Sequence, residues 1–196
     1  MMLKTGIMKT KNLALAILVL LSGQVLLAQK AEVDTKESSV KWQGKKIGSQ
    51  HEGIIQLKNG FIEYQDDQLI AAKFVMDMTS ITNTDIENEN YNQKLVGHLK
   101  SDDFFGVEKF PTATFELTQS SKFTNGKAKV SGDITIKGKT EEISFDVERR
   151  GDEYATKVSI DRSKFDVRYG SKSFFNDLGD KAISDQFTLE IRFVIK

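Results

Sequence analysis

The chain of 196 residues holds two histidines, His51 and His98, and no cysteine, so any catalysis or metal binding must be built from two imidazoles, hydroxyls, amines and carboxylates. A metal centre would need the imidazoles to converge with carboxylates, and there is no His-x-x-x-His or comparable spacing. A serine hydrolase of the strand-turn-helix type would need Gly-x-Ser-x-Gly, which is absent. Glu87 and Glu89 precede a mostly polar helical face and read as solvated charges rather than an acid–base pair. Lys45-Lys46 could meet an anionic group, although a solvated strand end is the simpler reading. His51 stands at the start of a strand, where it would orient the end of a sheet. His98 stands at the end of a helix, where it would cap the helix or bond a neighbouring strand. We expect no catalytic residue and no metal ligand.

The 28 Lys+Arg balance 28 Asp+Glu, and a chain without net charge lacks the field that general nucleic-acid binding requires. Without cysteine there is no disulfide framework, thiolate zinc site or cysteine nucleophile. A content of 39% hydrophobic and 29% charged residues is that of an ordinary globular protein. The charge balance, however, belongs to a precursor. Lys4, Lys9 and Lys11 precede the apolar run 13–21, followed by Ser22-Gly23-Gln24 and then Ala28-Gln29, the layout of a secretory leader over residues 1–28. The run is shorter than the ~20 residues of a membrane-spanning helix; an uncleaved anchor is the alternative, because Leu26 is unusual three residues before the cut. Cleavage after Ala28 would leave 168 residues carrying 25 basic and 28 acidic side chains. The expectation is one domain over 29–196, exported to the periplasm or the exterior.

From residue 33 onward the apolar pattern has period two, the mark of strands with one buried face. Residues 69–78 put Ile70, Ala72, Phe74, Met76 and Met78 on one face; residues 113–118 do the same with Ala113, Phe115 and Leu117. Asn125-Gly126 predicts a type I′ hairpin leading to Ala128, Val130, Ile134 and Ile136, and Lys137-Gly138-Lys139 a second turn leading to Ile143, Phe145 and Val147. Strands through Val158 and Ile160, and through Phe187, Leu189 and Ile191, close the series. Early strands lie around Val40 and Trp42 and from about His51 to Tyr64, where Gly60 suggests a bend or bulge. Between Asp85 and Leu99 the spacing of Tyr91, Leu95, His98 and Leu99 is helical, with Asp85 as the expected N-cap. About eight strands with short turns predict an all-β, antiparallel sheet, closed because an open one would leave two edges. A barrel of that size is filled by side chains or holds one slender ligand.

Ser39-Val-Lys-Trp42, His51-Glu-Gly53, Asn59-Gly-Phe61, His98-Leu-Lys-Ser-Asp-Asp-Phe-Phe105, Phe110-Pro-Thr-Ala-Thr-Phe115, Gly132-Asp-Ile-Thr-Ile-Lys-Gly-Lys-Thr140 and Ile160-Asp-Arg-Ser-Lys-Phe165 occur in this order. Together they resemble the YceI-like family of secreted polyisoprenoid-binding proteins, over about residues 32–196. Asp166 departs from the pattern at a place where the family often has Gly. The resemblance implies a lipocalin-like, extended eight-stranded antiparallel β-barrel with one helical insertion (about 85–99). It further implies a long isoprenoid tail in the lumen, an isoprenoid quinone being one such ligand, with no other cofactor and no catalysis. The residues that would line the lumen are Trp42, Phe61, Phe74, Met76, Met78 and Phe115, with Ile134, Ile136, Phe145, Val158, Phe187 and Leu189. His51, His98, Phe174 and Phe175 are candidates for the mouth and head group. The last two belong either to a lid or to a connection pinned outside the barrel. A transient membrane contact and a dimer are both compatible with this reading.

The apolar alternation alone would serve a solid core equally well, so two further readings stand beside lipid carriage. One is a secreted hydrolase or isomerase using His51 or His98, which requires an imidazole facing a cavity beside a carboxylate. The other is an interaction module with a filled barrel.

Overall fold

A sheet whose strands each bury one face must find cover for that face, and here the sheet covers itself. The computed structural model describes residues 28–196; the expected leader lies outside the described residues but for Ala28. Nine strands follow in chain order: β1 (Gln29–Glu32), β2 (Ser39–Lys46), β3 (Ser49–Gln65), β4 (Gln68–Asp77), β5 (Thr112–Ser120), β6 (Lys127–Ile136), β7 (Lys139–Arg150), β8 (Glu153–Asp161) and β9 (Ile183–Val194), with one helix, α1 (Glu89–Lys100), between β4 and β5. β3 pairs with both β2 and β4, so β2 to β9 form a closed, antiparallel, eight-stranded barrel of lipocalin-like type. The short β1 pairs with the far half of β3, from Gln29–Tyr64 to Glu32–Phe61, and prolongs the place of β2 in the wall.

The hairpins sit where the turn residues require them. Asn125 and Gly126 take φ 51° and 76°, and Lys137 and Gly138 take 51° and 73°, the paired positive values of type I′ turns. The chain order puts residue 47–48, segment 78–111 with α1, turn 137–138 and segment 162–182 at one end of the barrel. Connections 33–38, 66–67, 121–126 and 151–152 lie at the other. The first end is capped; the second is closed by short links.

Two strand bulges change which residues face inward. On β3, Leu57 opposes Met76 and Asn59 opposes Val75, so Lys58 is an extra residue and the inward parity switches from Gly53, Ile55 and Leu57 to Gly60 and Ile62. Phe61, expected in the lumen, is thereby turned outward, where Lys30 Nζ lies 4.0 Å over its ring. On β4, Ile70 is the extra residue between Ala71 and Leu69, so Leu69 is buried and Ile70 exposed, against the expectation for Ile70. The helix also begins later than expected. Asn88, not Asp85, accepts from the Tyr91 amide as N-cap, and Asp85 is engaged elsewhere. Asp166 takes φ 59°, the conformation that glycine adopts without strain, and its carboxylate accepts from Arg168 Nε at 2.6 Å.

Candidate functional site: an apolar lumen under a pinned cap

The inward faces enclose a cavity of about 110 Å³ in the barrel body. Its wall is apolar except for Thr114, Tyr154 and Thr156. Of the twelve residues expected in the lumen, Phe74, Met76, Met78, Phe115, Ile134, Ile136, Phe145, Val158, Phe187 and Leu189 line it. Ile62, Leu69, Ile143, Tyr154, Ile160, Ile191 and Phe193 line it too. The alternation around Ile143, Ile160 and Ile191 already signalled those three, whereas Ile62 and Leu69 were hidden by the bulges.

A second cavity of about 130 Å³ lies under the cap. Trp42 belongs here rather than to the body cavity, beside Ile81, Leu95, Leu99 and Phe104, with Lys45, Lys46, Ser49, Gln50, His51 and His98 also in its wall. Ile55, Phe105 and Phe187 line both cavities, and the Phe105 and Phe187 rings stand edge to face at 6.5 Å. These three side chains form a partition. Each compartment is smaller than the ~300 Å³ at which ligand pockets usually begin, so a tail occupying both must push the partition aside.

The cap is fixed by hydrogen bonds to β3. Thr82 N donates to Ile54 O at 3.0 Å and Thr84 N to Glu52 O at 2.9 Å, which continues the wall beyond β4. Trp42 Nε1 donates to Thr82 O at 2.9 Å. That bond passes over Gly53, where a Cβ would collide with Thr82 O and the indole nitrogen. Asp85 accepts from Glu52 N at 2.8 Å and lies 2.8 Å from His51 Nδ1. Burial pushes the Asp85 carboxyl up, but hydrogen bonds from the Glu52 amide, His51 and Asn83 outweigh it and hold its pKa below the ordinary value. His98 stands edge-on to the Tyr169 ring at 4.2 Å and to Phe104 at 5.5 Å. Its place is thus an aromatic cluster, and the helix end is closed by Ser101, whose amide donates to Gly97 O and His98 O.

The other half of the cap, 162–182, is held by a charge the sequence did not single out. Arg162 is 2% exposed and donates to the carbonyls of Ser184, Val167, Tyr169 and Ile183 at 2.9–3.1 Å, with Asp185 Oδ1 3.4 Å from Nη2. Burial lowers the Arg162 pKa, opposed by Asp185 and Asp161. Phe174 and Phe175 lie outside both cavities and are exposed. Arg168 lies 5.0 Å over the Phe174 ring, and Phe175 borders a surface groove with Asp102, Asp103 and Leu178. They do not close over the lumen. Among the described residues no three of His, Asp and Glu gather as metal ligands.

A family model described as the YceI-like domain matches residues 32–195. Among curated proteins, the UPF0312 protein SA2479 of Staphylococcus aureus is 47% identical over 60 residues, 31% of this chain and 32% of that protein, so the match spans about a third of the relative's length. Among solved structures, BcnA of Burkholderia cenocepacia superimposes with a TM-score of 0.60 at 23% identity, covering 84% of this chain and 99% of that one. A domain of Saccharophagus degradans described as polyisoprenoid-binding superimposes with a TM-score of 0.57 at 14% identity, over 87% of this chain and 100% of that one. At these identities the superpositions show a shared fold.

Proposed function

The chain belongs to the YceI-like family, and on that premise we propose that it is an exported, non-catalytic protein that carries a polyisoprenoid or similar long-chain lipid in its barrel. The observation that carries the reading is the pair of cavities in line, separated only by Ile55, Phe105 and Phe187, with basic and imidazole side chains confined to the cap compartment. The relative from Saccharophagus degradans, described as polyisoprenoid-binding, has the same fold. Each tail CH₂ removed from water contributes about 0.8 kcal/mol, so tail length governs affinity. The head group then rests near Lys45, Lys46, His51 and His98. Among the described residues, five of the seven exposed large apolar side chains, Ile47, Tyr91, Tyr169, Phe174 and Phe175, sit on connections at this capped end, which suits a transient contact with the membrane that supplies the lipid.

The test is organic extraction of the purified protein followed by mass spectrometry. Stoichiometric long-chain lipid is expected. Its absence, with no binding of added isoprenoids, overturns the reading in favour of a filled barrel. A second reading rests on the His51–Asp85 contact in the wall of the cap cavity, the pairing a general base would use on a head group. His51→Gln separates the two: carriage predicts retained lipid and no turnover to lose, whereas a hydrolase or isomerase loses turnover and keeps its ligand.

A further inference from the structure

The barrel wall is not equally zipped all round. β6 and β7 pair continuously from Lys127–Glu148 to Ile136–Lys139, and β8 and β9 from Glu153–Val194 to Asp161–Gln186. Between them, β7 and β8 pair only at Glu148–Ala155, Arg149–Tyr154 and Arg150–Glu153, next to their tight turn. Beyond Glu148 the two strands diverge toward the capped end, leaving residues 139–147 of β7 and 156–161 of β8 without ladder partners across the seam. The inward Ile143 and Phe145 of β7 are only half-buried, whereas Val147, next to the last ladder pair, and Val158 and Ile160 of β8 are buried. At the fork a side chain replaces the ladder: Thr156 Oγ1 donates to Asp146 O at 2.7 Å. Farther up, Lys164 Nζ lies 3.8 Å from Glu141, an exposed pair of little strength. A surface groove outside the barrel, bordered by Lys41, Asp146 and Lys157, shares Ala155, Thr156 and Ile191 with the body cavity, so the wall there is one residue thick.

We propose that this seam is a lateral portal through which the lipid tail enters and leaves the body cavity, with Thr156 as its latch. The inference rests on the lipid-carrying function proposed above. The cap offers the costlier path, because it is held by the Thr82 and Thr84 backbone bonds, the Trp42 bond, the His51–Asp85 contact and four carbonyl bonds to Arg162. Opening the seam above the fork breaks the Thr156 bond, the exposed pair and, at its top, the bond from Lys137 Nζ to Asp166 O (3.2 Å), with no ladder bond lost. A slit along the wall also admits a long tail broadside, its head group remaining in water, whereas threading through the cap would drag the head group or the whole tail past the partition.

The chain has no cysteine, so a cross-link across the seam can be placed without interference. Carrying the Glu148–Ala155 register four residues further sets Ser144 opposite Ser159, both exposed. Ser144→Cys/Ser159→Cys is bridged with a short, reducible bis-thiosulfonate, and uptake of a fluorescent polyprenol from vesicles is followed before and after reduction. Bridging is expected to slow uptake about tenfold or more, with recovery on reduction, and Thr156→Val to speed it about fivefold by removing one hydrogen bond. Equal rates in the bridged and reduced protein, with Thr156→Val also unchanged, overturn the portal while leaving lipid carriage standing. If neither the natural protein nor the reduced variant takes up any lipid at equilibrium, carriage itself fails and the portal with it.

Discussion

Phe187→Ala separates a lipid channel from a filled core, because only the channel predicts a gain in ligand affinity alongside the loss of stability. The ring lines both cavities and stands against Phe105 across the partition. Truncating a packed Phe costs about 3–5 kcal/mol. Here the ring is half-buried and borders empty space on two sides, so we expect about 2–3 kcal/mol, a fall in Tm of roughly 4–12 °C for a domain of this size. The compartments of about 110 and 130 Å³ then merge through the space the ring vacates. A tail that fills both no longer has to force Phe187 from its rotamer, which spares about 0.5–1.5 kcal/mol and raises affinity up to about tenfold. Ligand at ~100 times Kd adds about 2.7 kcal/mol to the folded state, close to the whole loss. The assay is thermal unfolding of delipidated protein with and without polyprenol, alongside a binding titration. Lower stability with unchanged or weaker affinity would refute the argument and mark Phe187 as ordinary core.

Gly53→Ala should place a methyl against Thr82 O and the Trp42 ring nitrogen, costing about 1–3 kcal/mol; because Trp42 is the only tryptophan, its fluorescence in a urea titration reports the change directly. Asp85 has a folded pKa below its ordinary value, so its contribution to stability is present above the unfolded carboxylate value of about 3.9 and is lost as pH falls through the folded value. Asp85→Asn should therefore flatten the acid side of the stability–pH curve measured by urea melts, and a curve of unchanged slope would deny the clamp. Arg162→Met leaves four carbonyls and Asp185 without their partner; a loss of about 3–5 kcal/mol is expected, with protease cleavage appearing within 166–182 before the barrel strands are cut.

The sequence made the barrel legible because period-two alternation and the turns at Asn125-Gly126 and Lys137-Gly138 are local signals whose geometry each residue type sets by itself. Facing was legible only as far as the first bulge. One extra residue, Lys58 on β3 and Ile70 on β4, reverses the parity of everything beyond it on that strand, which is why Phe61 and Ile70 point outward while Ile62 and Leu69 line the lumen. Asp85 looked like a helix cap because its type and position fit one. Whether its carboxylate serves the helix or the β3 edge depends on where 82–85 lies against 52–54, a long-range fact. Arg162 drew no role from the sequence for the same reason, the carbonyls it gathers lying up to 22 residues away.

The seam is the furthest from sequence reach. Ile143 and Phe145 alternate with polar residues whether or not β8 pairs beside them, since alternation reports the buried face and is silent about the strand edge. What decides the edge is the connection that follows. β8 runs into Arg162, whose guanidinium gathers carbonyls from 167, 169, 183 and 184 and so draws the end of β8 toward β9. β8 follows β9 through nine ladder pairs and runs into that guanidinium, while its pairing with β7 ends at Glu148–Ala155. If the charge that fixes the cap also sets where β8 leaves β7, relaxing it should close the seam: in Arg162→Met, amides of 140–146 should gain hydrogen-exchange protection even as 166–182 loses it. Loss of protection in both segments would show that the fork is independent of Arg162.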